Sequence, residues 1–252
     1  MRITVLKEDE RSLFARKCLE GESKIAERAG DMIILPIPST KDKVRLTDSD
    51  ITLSSVASEL RCRDIAVGYG LPEEFLVSCY LRGALPIDIA LDEKCQAEGA
   101  HLTALGCVRY LLAEYRLAPS ELSFGVIGYG RIGRELSRML AFLGARVTVY
   151  SSKEVTKEYV GRSYEALGEA RREGLDVLIN TAPARLIPEG ALVGTDALRL
   201  IELASGDNLP SDKEAVRLMQ LPQRSFPESA GRAVARAVMR SLISSTTDGA
   251  TL

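Results

Sequence analysis

An α/β protein with two parallel-sheet domains joined by a long helix is the architecture that three features of the sequence predict. Short β-like runs alternate with helical patterns along the whole chain, as they do where parallel strands are connected by helices. Residues 98–114, EGAHLTALGCVRYLLAE, place Leu102, Leu105, Val108 and Leu112 at helical spacing between two such series. The third feature is GYGRIG at 128–133, a G-x-G-x-x-G set between an apolar run and an amphipathic helix. Together they make both domains Rossmann-like.

The first domain, residues 1–97, holds four candidate strands: ITVL at 3–6, DMIILP at 31–36, DIAVG at 64–68 and PIDIAL at 86–91. Each is a short aliphatic run bounded by charged residues, glycine or proline. Residues 72–81 read as a helix, because proline loses no helical bond in a first turn and Glu73 and Glu74 complement the helix dipole there. The connecting helix opens the second domain, residues 98–252. LAPSEL makes a turn, and strands are expected from Leu122 (LSFGVI) and at 146–150, 159–164, 175–179, 198–203 and 216–220. The helix after GYGRIG carries Ile132, Leu136, Met139, Leu140 and Leu143 on one face and ends at Gly144, a left-handed cap. After Pro227, ESAGRAVARAVMRSLI puts Ala230, Val234, Val238 and Leu242 on one face. That amphipathic helix should pack back across the domain junction, and SSTTDGATL reads as a frayed tail.

Composition removes several function classes. Lys plus Arg total 33 against 35 Asp plus Glu, so no net field gathers nucleic acid or an anionic membrane surface. No run approaches the roughly 18 apolar residues of a membrane span, and MRITVLKEDER turns charged at once, so a cytoplasmic location is expected. The five cysteines are scattered without a C-x-x-C pair and read as buried, reduced thiols. No metal site is expected, since His101 is the single histidine. Histidine acid–base catalysis would fall on His101 alone, and no other catalytic residue is assigned.

Strand, glycine loop, helix and the second strand ARVTVY form a βαβ unit in which a pyrophosphate rests on backbone N–H groups at a helix N-terminus. Gly128, Tyr129, Gly130, Arg131, Ile132 and Gly133 are its candidate cofactor residues, Arg131 adding a charge contact. The position where an acid normally takes the adenine ribose hydroxyls is Ser151, followed by Ser152 and Lys153. Two hydroxyls and an ammonium do not repel a 2′-phosphate, which favours NADP(H), with NAD held by backbone as the alternative.

The ordered motifs IGYGRIG, DVLINTAP (176–183), IELAS (201–205) and LPQRSFPESAG (221–231), behind IILPIPST (33–40), resemble those of the dipicolinate synthase A-subunit family. Asp9-Glu10-Arg11 is similar to that family's Gly-Gly-Asp-x-Arg start, and the resemblance covers almost the whole chain. It implies an NAD(P)-dependent oxidation of dihydrodipicolinate to dipicolinate in spore formation, with a small dicarboxylate substrate and a flavoprotein-like second subunit. The chain also departs from the family. Leu105 stands where a Glu precedes the connecting-helix glycine, Gly206-Asp207-Asn208 replace a Pro-Gly-Gly, and Glu228 replaces the lysine of an APKTAG turn. A carboxylate for a lysine is unfavourable toward a dianion, which keeps open a non-catalytic NAD(P)-binding regulatory or sensor protein. A 2-hydroxyacid dehydrogenase is the third reading. Those enzymes share the cofactor domain but need a histidine where this chain has LPQRSFPE.

The remaining candidates follow from strand ends. Asn180, Thr181, Ala182 and Pro183 close one strand and Ala204 and Ser205 the next, at the carboxyl edge where open α/β sheets bind ligands, here on the nicotinamide ribose side. Ser39 and Thr40, after ILPIP, should face the substrate with hydroxyls suited to a carboxylate. Arg224 and Ser225 precede a helix start with Ser229 as its cap, a second place for an anion. A homo-oligomer is compatible with the sequence.

Overall fold

The computed structural model describes residues 1–22, 30–167, 174–190, 192, 198–206, 208–210 and 214–248. In chain order they form β1 (Ile3–Val5), α1 (Glu10–Glu20), β2 (Met32–Ile34), α2 (Leu53–Glu59), β3 (Ile65–Gly68), α3 (Glu73–Leu81), β4 (Leu85–Asp88) and α4 (Glu93–Glu114). Then follow β5 (Ser123–Ile127), α5 (Arg131–Phe142), β6 (Arg146–Tyr150), β7 (Val160–Arg162), β8 (Val177–Asn180), β9 (Arg199–Glu202), β10 (Ala215–Arg217), α6 (Leu221–Ser225) and α7 (Pro227–Asp248). Contacts divide the chain into two units, Met1–Gly99 with Pro222–Leu252, and Ala100–Leu221, with α4 running from the first into the second.

The first unit is a four-stranded parallel sheet in the order β1-β2-β3-β4. Its strands read as unbroken aliphatic runs because both faces are covered. Met32, Ile34, Ile65 and Val67 meet Ala15 and Leu19 of α1 and Val234 and Val238 of α7 on one face. Ala66 meets Val56 of α2 and Phe75 and Cys79 of α3 on the other. Each such buried Ile, Val, Leu or Phe contributes about 1.5–3 kcal/mol.

Helix α7, counted with the residues of the second domain and expected to pack back across the domain junction, groups with the first unit. Its apolar stripe fits α1, and the two helices cross closely at Gly231, where a Cβ would lie 2.6 Å from Arg11 O. Arg240 adds a two-pronged bond to Asp92 at 2.8 Å, and Arg236 pairs with Glu98. The helix also continues through Asp248, so the expected frayed tail is helical over its first five residues, 244–248, and 249–252 lie outside the described residues.

Other boundaries move for local reasons. The PIDIAL strand stops at Asp88, whose carboxylate accepts the N–H groups of Ala90, Gly70 and Leu71 at 2.8–2.9 Å and bends the chain into a 3₁₀ turn. Helix α4 begins five residues before the expected 98, because the Asp92 carboxylate accepts Cys95 N at 2.7 Å and caps it. Side-chain caps by Asp9 on Ser12 N and by Thr52 on Ser55 N start α1 and α2, two helices for which no hydrophobic period stood out.

The second unit is a six-stranded parallel sheet in the order β10-β9-β8-β5-β6-β7. Numbered from β5, this is the strand order of dinucleotide-binding domains, with its reversal between β5 and β8. The two edge strands, β7 and β10, are shorter than the sequence suggested, three residues each. Gly144 closes α5 at φ +84°, as its position foretold. Cys79, Cys95 and Cys107 are buried thiols, pushed by burial up to about 11, 11 and 12. Cys62 is exposed, contrary to the expectation for all five. Among the described residues no helix is long and apolar enough to cross a membrane.

Candidate functional site

The glycine loop hangs from the end of β5, at the reversal of strand order. Gly128 adopts φ +96°, and a Cβ there would lie 2.8 Å from Thr181 Oγ1. A Cβ on Gly133, in the first turn of α5, would lie 2.1 Å from Gly128 O. Both are glycines because the loop and helix press on one another. Gly130 is different, since among the described residues an added Cβ would meet nothing within 4 Å. Packing within the protein gives no reason for glycine at 130, whereas close approach of a ligand to the backbone does. Gly130 also caps α5 without a side-chain bond, at the electropositive end of a helix. The residues present therefore fit a pyrophosphate.

Neighbours of the loop hold its shape. Tyr129 is buried, with its hydroxyl 3.2 Å from Thr156 Oγ1, its ring edge-on to Tyr159 and the Arg134 guanidinium 5.3 Å from its centre. It thus docks the segment after β6 onto the glycine loop. Ile132 is half-buried against the core and Arg131 is exposed. At the end of β6, Ser151 N donates to Arg162 O and Ser151 Oγ accepts Lys153 N, both at 2.9 Å. This tight turn leaves Ser152 and Lys153 exposed, with no carboxylate before Glu154.

The ends of β8 and β9 are organised by a residue that the sequence did not single out. Glu202, fully buried and opposite Asn180 in the β8–β9 register, accepts Asn180 Nδ2 at 3.0 Å and Ala204 N at 2.9 Å. Asn180 also donates to Ala182 O and accepts Ala182 N, each at 3.1 Å. Its amide, expected toward a ribose, is spent on the turn. Thr181 Oγ1 donates to Ile127 O at 2.8 Å and so fastens the end of β8 beneath the glycine loop. Ala182 and Ala204 are buried, while Pro183 and Ser205 are exposed. An acid inside the apolar run RLIEL was the available signal for Glu202, because a lone carboxylate in a central strand must have partners. Of the departures noted above, Gly206 sits at φ +104° and Asn208 donates to Ser205 O at 2.9 Å, while Asp207 lies outside the described residues.

His101 belongs to the same unit but stands on the helical layer. Its Nδ1 is 3.0 Å from Glu135 Oε2, which also accepts Arg138 at 2.9 Å. These two partners hold the Glu135 carboxyl below its ordinary range. Through Nδ1 the imidazole joins α4 to α5.

The substrate candidates all belong to the first unit, at or near the carboxyl edge of its sheet. Ser39 is fully buried, donates to Pro36 O at 3.0 Å and accepts Tyr69 N at 2.8 Å, so its hydroxyl braces two loops and offers nothing to a carboxylate. Thr40 donates to Asp42 Oδ1 at 3.2 Å, a carboxylate held low by the N–H groups of Arg45 and Val44. Negative charge at that hydroxyl disfavours an anionic ligand. Arg224 is exposed in the last turn of α6, and Ser225 ends it. Ser229 lies inside α7, which starts at Pro227, and so does not cap it. Glu228 is exposed and pairs with Arg232 at 3.1 Å.

Arg11 joins the segments that carry these candidates. Its buried Nη2 donates to Ile37 O at 2.8 Å and to Gln223 Oε1 at 2.7 Å, with Asp9 3.8 Å away. Among the described residues its Nε is buried without a partner, and burial holds its pKa below the ordinary value. Nearby in sequence, Lys7 and Lys41 both reach Asp48, at 2.9 and 2.7 Å, and pull its carboxyl down to about 2.

No family model and no curated protein sequence matches the chain. Solved structures do. The A-subunit of dipicolinate synthase from Bacillus halodurans superposes with a TM-score of 0.75 at 19% identity, over 96% of this chain and 97% of that one. Its counterpart in dipicolinate synthase from Bacillus subtilis gives 0.75 at 18% identity, over 98% and 97%. A D-isomer specific 2-hydroxyacid dehydrogenase from Lactobacillus delbrueckii ssp. bulgaricus, in its NAD complexed form, gives 0.53 at 11% identity, over 98% of both chains. The chain shares the two-sheet α/β fold of these proteins over nearly its full length.

Proposed function

We propose that the protein is an NAD(P)-dependent oxidoreductase of the dipicolinate synthase A-subunit type, acting on a small carboxylate related to dihydrodipicolinate. The observation that carries the cofactor half is Gly130, a glycine at the electropositive end of α5 whose missing side chain no packing among the described residues requires. Gly128 to Gly133 would hold the pyrophosphate, and Pro183 and Ser205 offer exposed surface on the nicotinamide ribose side. Bound there, a nicotinamide dinucleotide supplies hydride transfer. The higher TM-score to the dipicolinate synthase chains, 0.75 against 0.53, supports that branch over the 2-hydroxyacid dehydrogenases. The absence of a histidine from LPQRSFPE also supports it, because aromatising a dihydropyridine ring needs alignment more than a strong base.

NADP(H) is the favoured cofactor, through Ser152 and Lys153 on the turn that Ser151 fixes. Fluorescence titration should show NADPH binding about tenfold or more tighter than NADH, and Lys153→Glu should remove the difference. Equal or tighter binding of NADH rejects the preference. No binding of either dinucleotide rejects the function.

A non-catalytic cofactor sensor is the second reading, favoured by Glu228 and Arg232 pairing where the resembling family carries a lysine. Turnover of enzymatically generated dihydrodipicolinate with NADP, with or without a flavoprotein-like second subunit, excludes it. A cytoplasmic location and a homo-oligomer belong to the same proposal.

A further inference from the structure

A cavity of about 240 Å³ opens in the second unit, under the last turn of α4 and beside the start of β9. Its volume equals that of about eight waters. Glycine loop and cavity lie at opposite edges of the same sheet, since Arg199 begins β9 and Glu202 ends it. Tyr110, Glu114, Tyr115, Arg116 and Arg199 supply its polar wall, and Leu117, Ile201 and Val216 its apolar wall. Among the described residues, the side chains of those five polar residues make no hydrogen bond or ion pair with one another or with anything else. Among the described residues the Tyr115 hydroxyl is buried and unpaired, an arrangement that is unfavourable until a partner arrives. Burial pushes that phenol up to about 12, so it remains a donor at any physiological pH.

Two guanidinium groups and a phenol donor beside an apolar wall select an anionic head on a hydrocarbon body. Glu114 at the same cavity selects against a second negative charge. We propose that this cavity binds a small aromatic or branched monocarboxylic acid, at a place separate from the glycine loop and different in charge preference from a dicarboxylate substrate.

Phenylacetate is a suitable probe, with phthalate and phenethylamine as the dianionic and cationic controls, titrated calorimetrically into the full chain. Phenylacetate should bind with a Kd of about 1 mM or tighter, and Arg199→Ala should weaken it about tenfold or more while the melting curve stays that of a folded protein. Phthalate and phenethylamine should bind more weakly than phenylacetate. Should Arg199→Ala not fold, Arg116→Ala, in the exposed connection after α4, is to show the same loss. Absence of saturable phenylacetate binding overturns the proposal. Equal affinity in the arginine variant that folds, or stronger binding of either control, does so as well.

Discussion

Where the six-stranded sheet reverses its strand order, between β5 and β8, the loops at its carboxyl edge leave open space around Gly130. The four-stranded sheet runs β1-β2-β3-β4 without a reversal, and the loops at its carboxyl edge are bonded to one another through Ser39, Asp88 and Arg11. Both edges collect polar residues, as parallel sheets do. In both units those residues take up one another's hydrogen bonds, but in the second the glycine loop also leaves backbone at a helix N-terminus with no described atom against it, at Gly130. Polar residues at a strand end therefore mark a binding edge only after their partners have been counted.

The largest expected effect comes from Gly133→Ala, which sets a Cβ against Gly128 O. It should lower stability by about 3 kcal/mol in urea unfolding, because backbone on both sides cannot retreat. A change below about 1 kcal/mol would mean that helix and loop do not press together as described. In the first unit, Arg11→Met keeps much of the side-chain volume but removes the donor to Ile37 O and to Gln223 Oε1. A loss of about 2 kcal/mol is expected, with NADPH affinity unchanged. Altered cofactor affinity would show that Arg11 does more than brace its own edge.

The smallest effect belongs to Asp48, whose carboxyl lies near 2 under the influence of Lys41 and Lys7. Its folded value is depressed below the unfolded value of about 4, so the stability it contributes is present above about pH 4 and lost as pH falls toward 2. Carboxyl NMR titration should place Asp48 near 2 in the wild type and raise it in Lys41→Ala. No change in that variant would contradict the ion pair.

The second unit was the more legible of the two in sequence, and the reason is locality. Gly128, Gly130, Gly133 and Gly144 act within one βαβ unit, so spacing alone locates them. The place of Ser151, one residue past β6, was legible for the same reason. Glu202 and Asn180 meet through a register set by β8–β9 pairing, 22 residues apart, which no local pattern reports. Arg11 and Gln223 are 212 residues apart, and although the apolar stripe of α7 pointed back across the domain junction, no local pattern named α1 as its partner. The substrate candidates Ser39 and Ser229 failed on hydrogen-bond accounting and on a helix that starts at Pro227, three residues before a Ser229 cap would allow. Neither fact is written in composition or period.

Gly130→Ala tests the distinction between the two edges most directly. The variant should unfold within about 1 kcal/mol of the wild type, since a Cβ there meets open space and costs only a helix-cap preference. NADPH affinity in the same preparation should fall about tenfold or more, as the methyl group occupies the approach of the pyrophosphate. A folded Gly130→Ala protein that binds NADPH as tightly as the wild type would contradict the assignment of the glycine loop as the cofactor site.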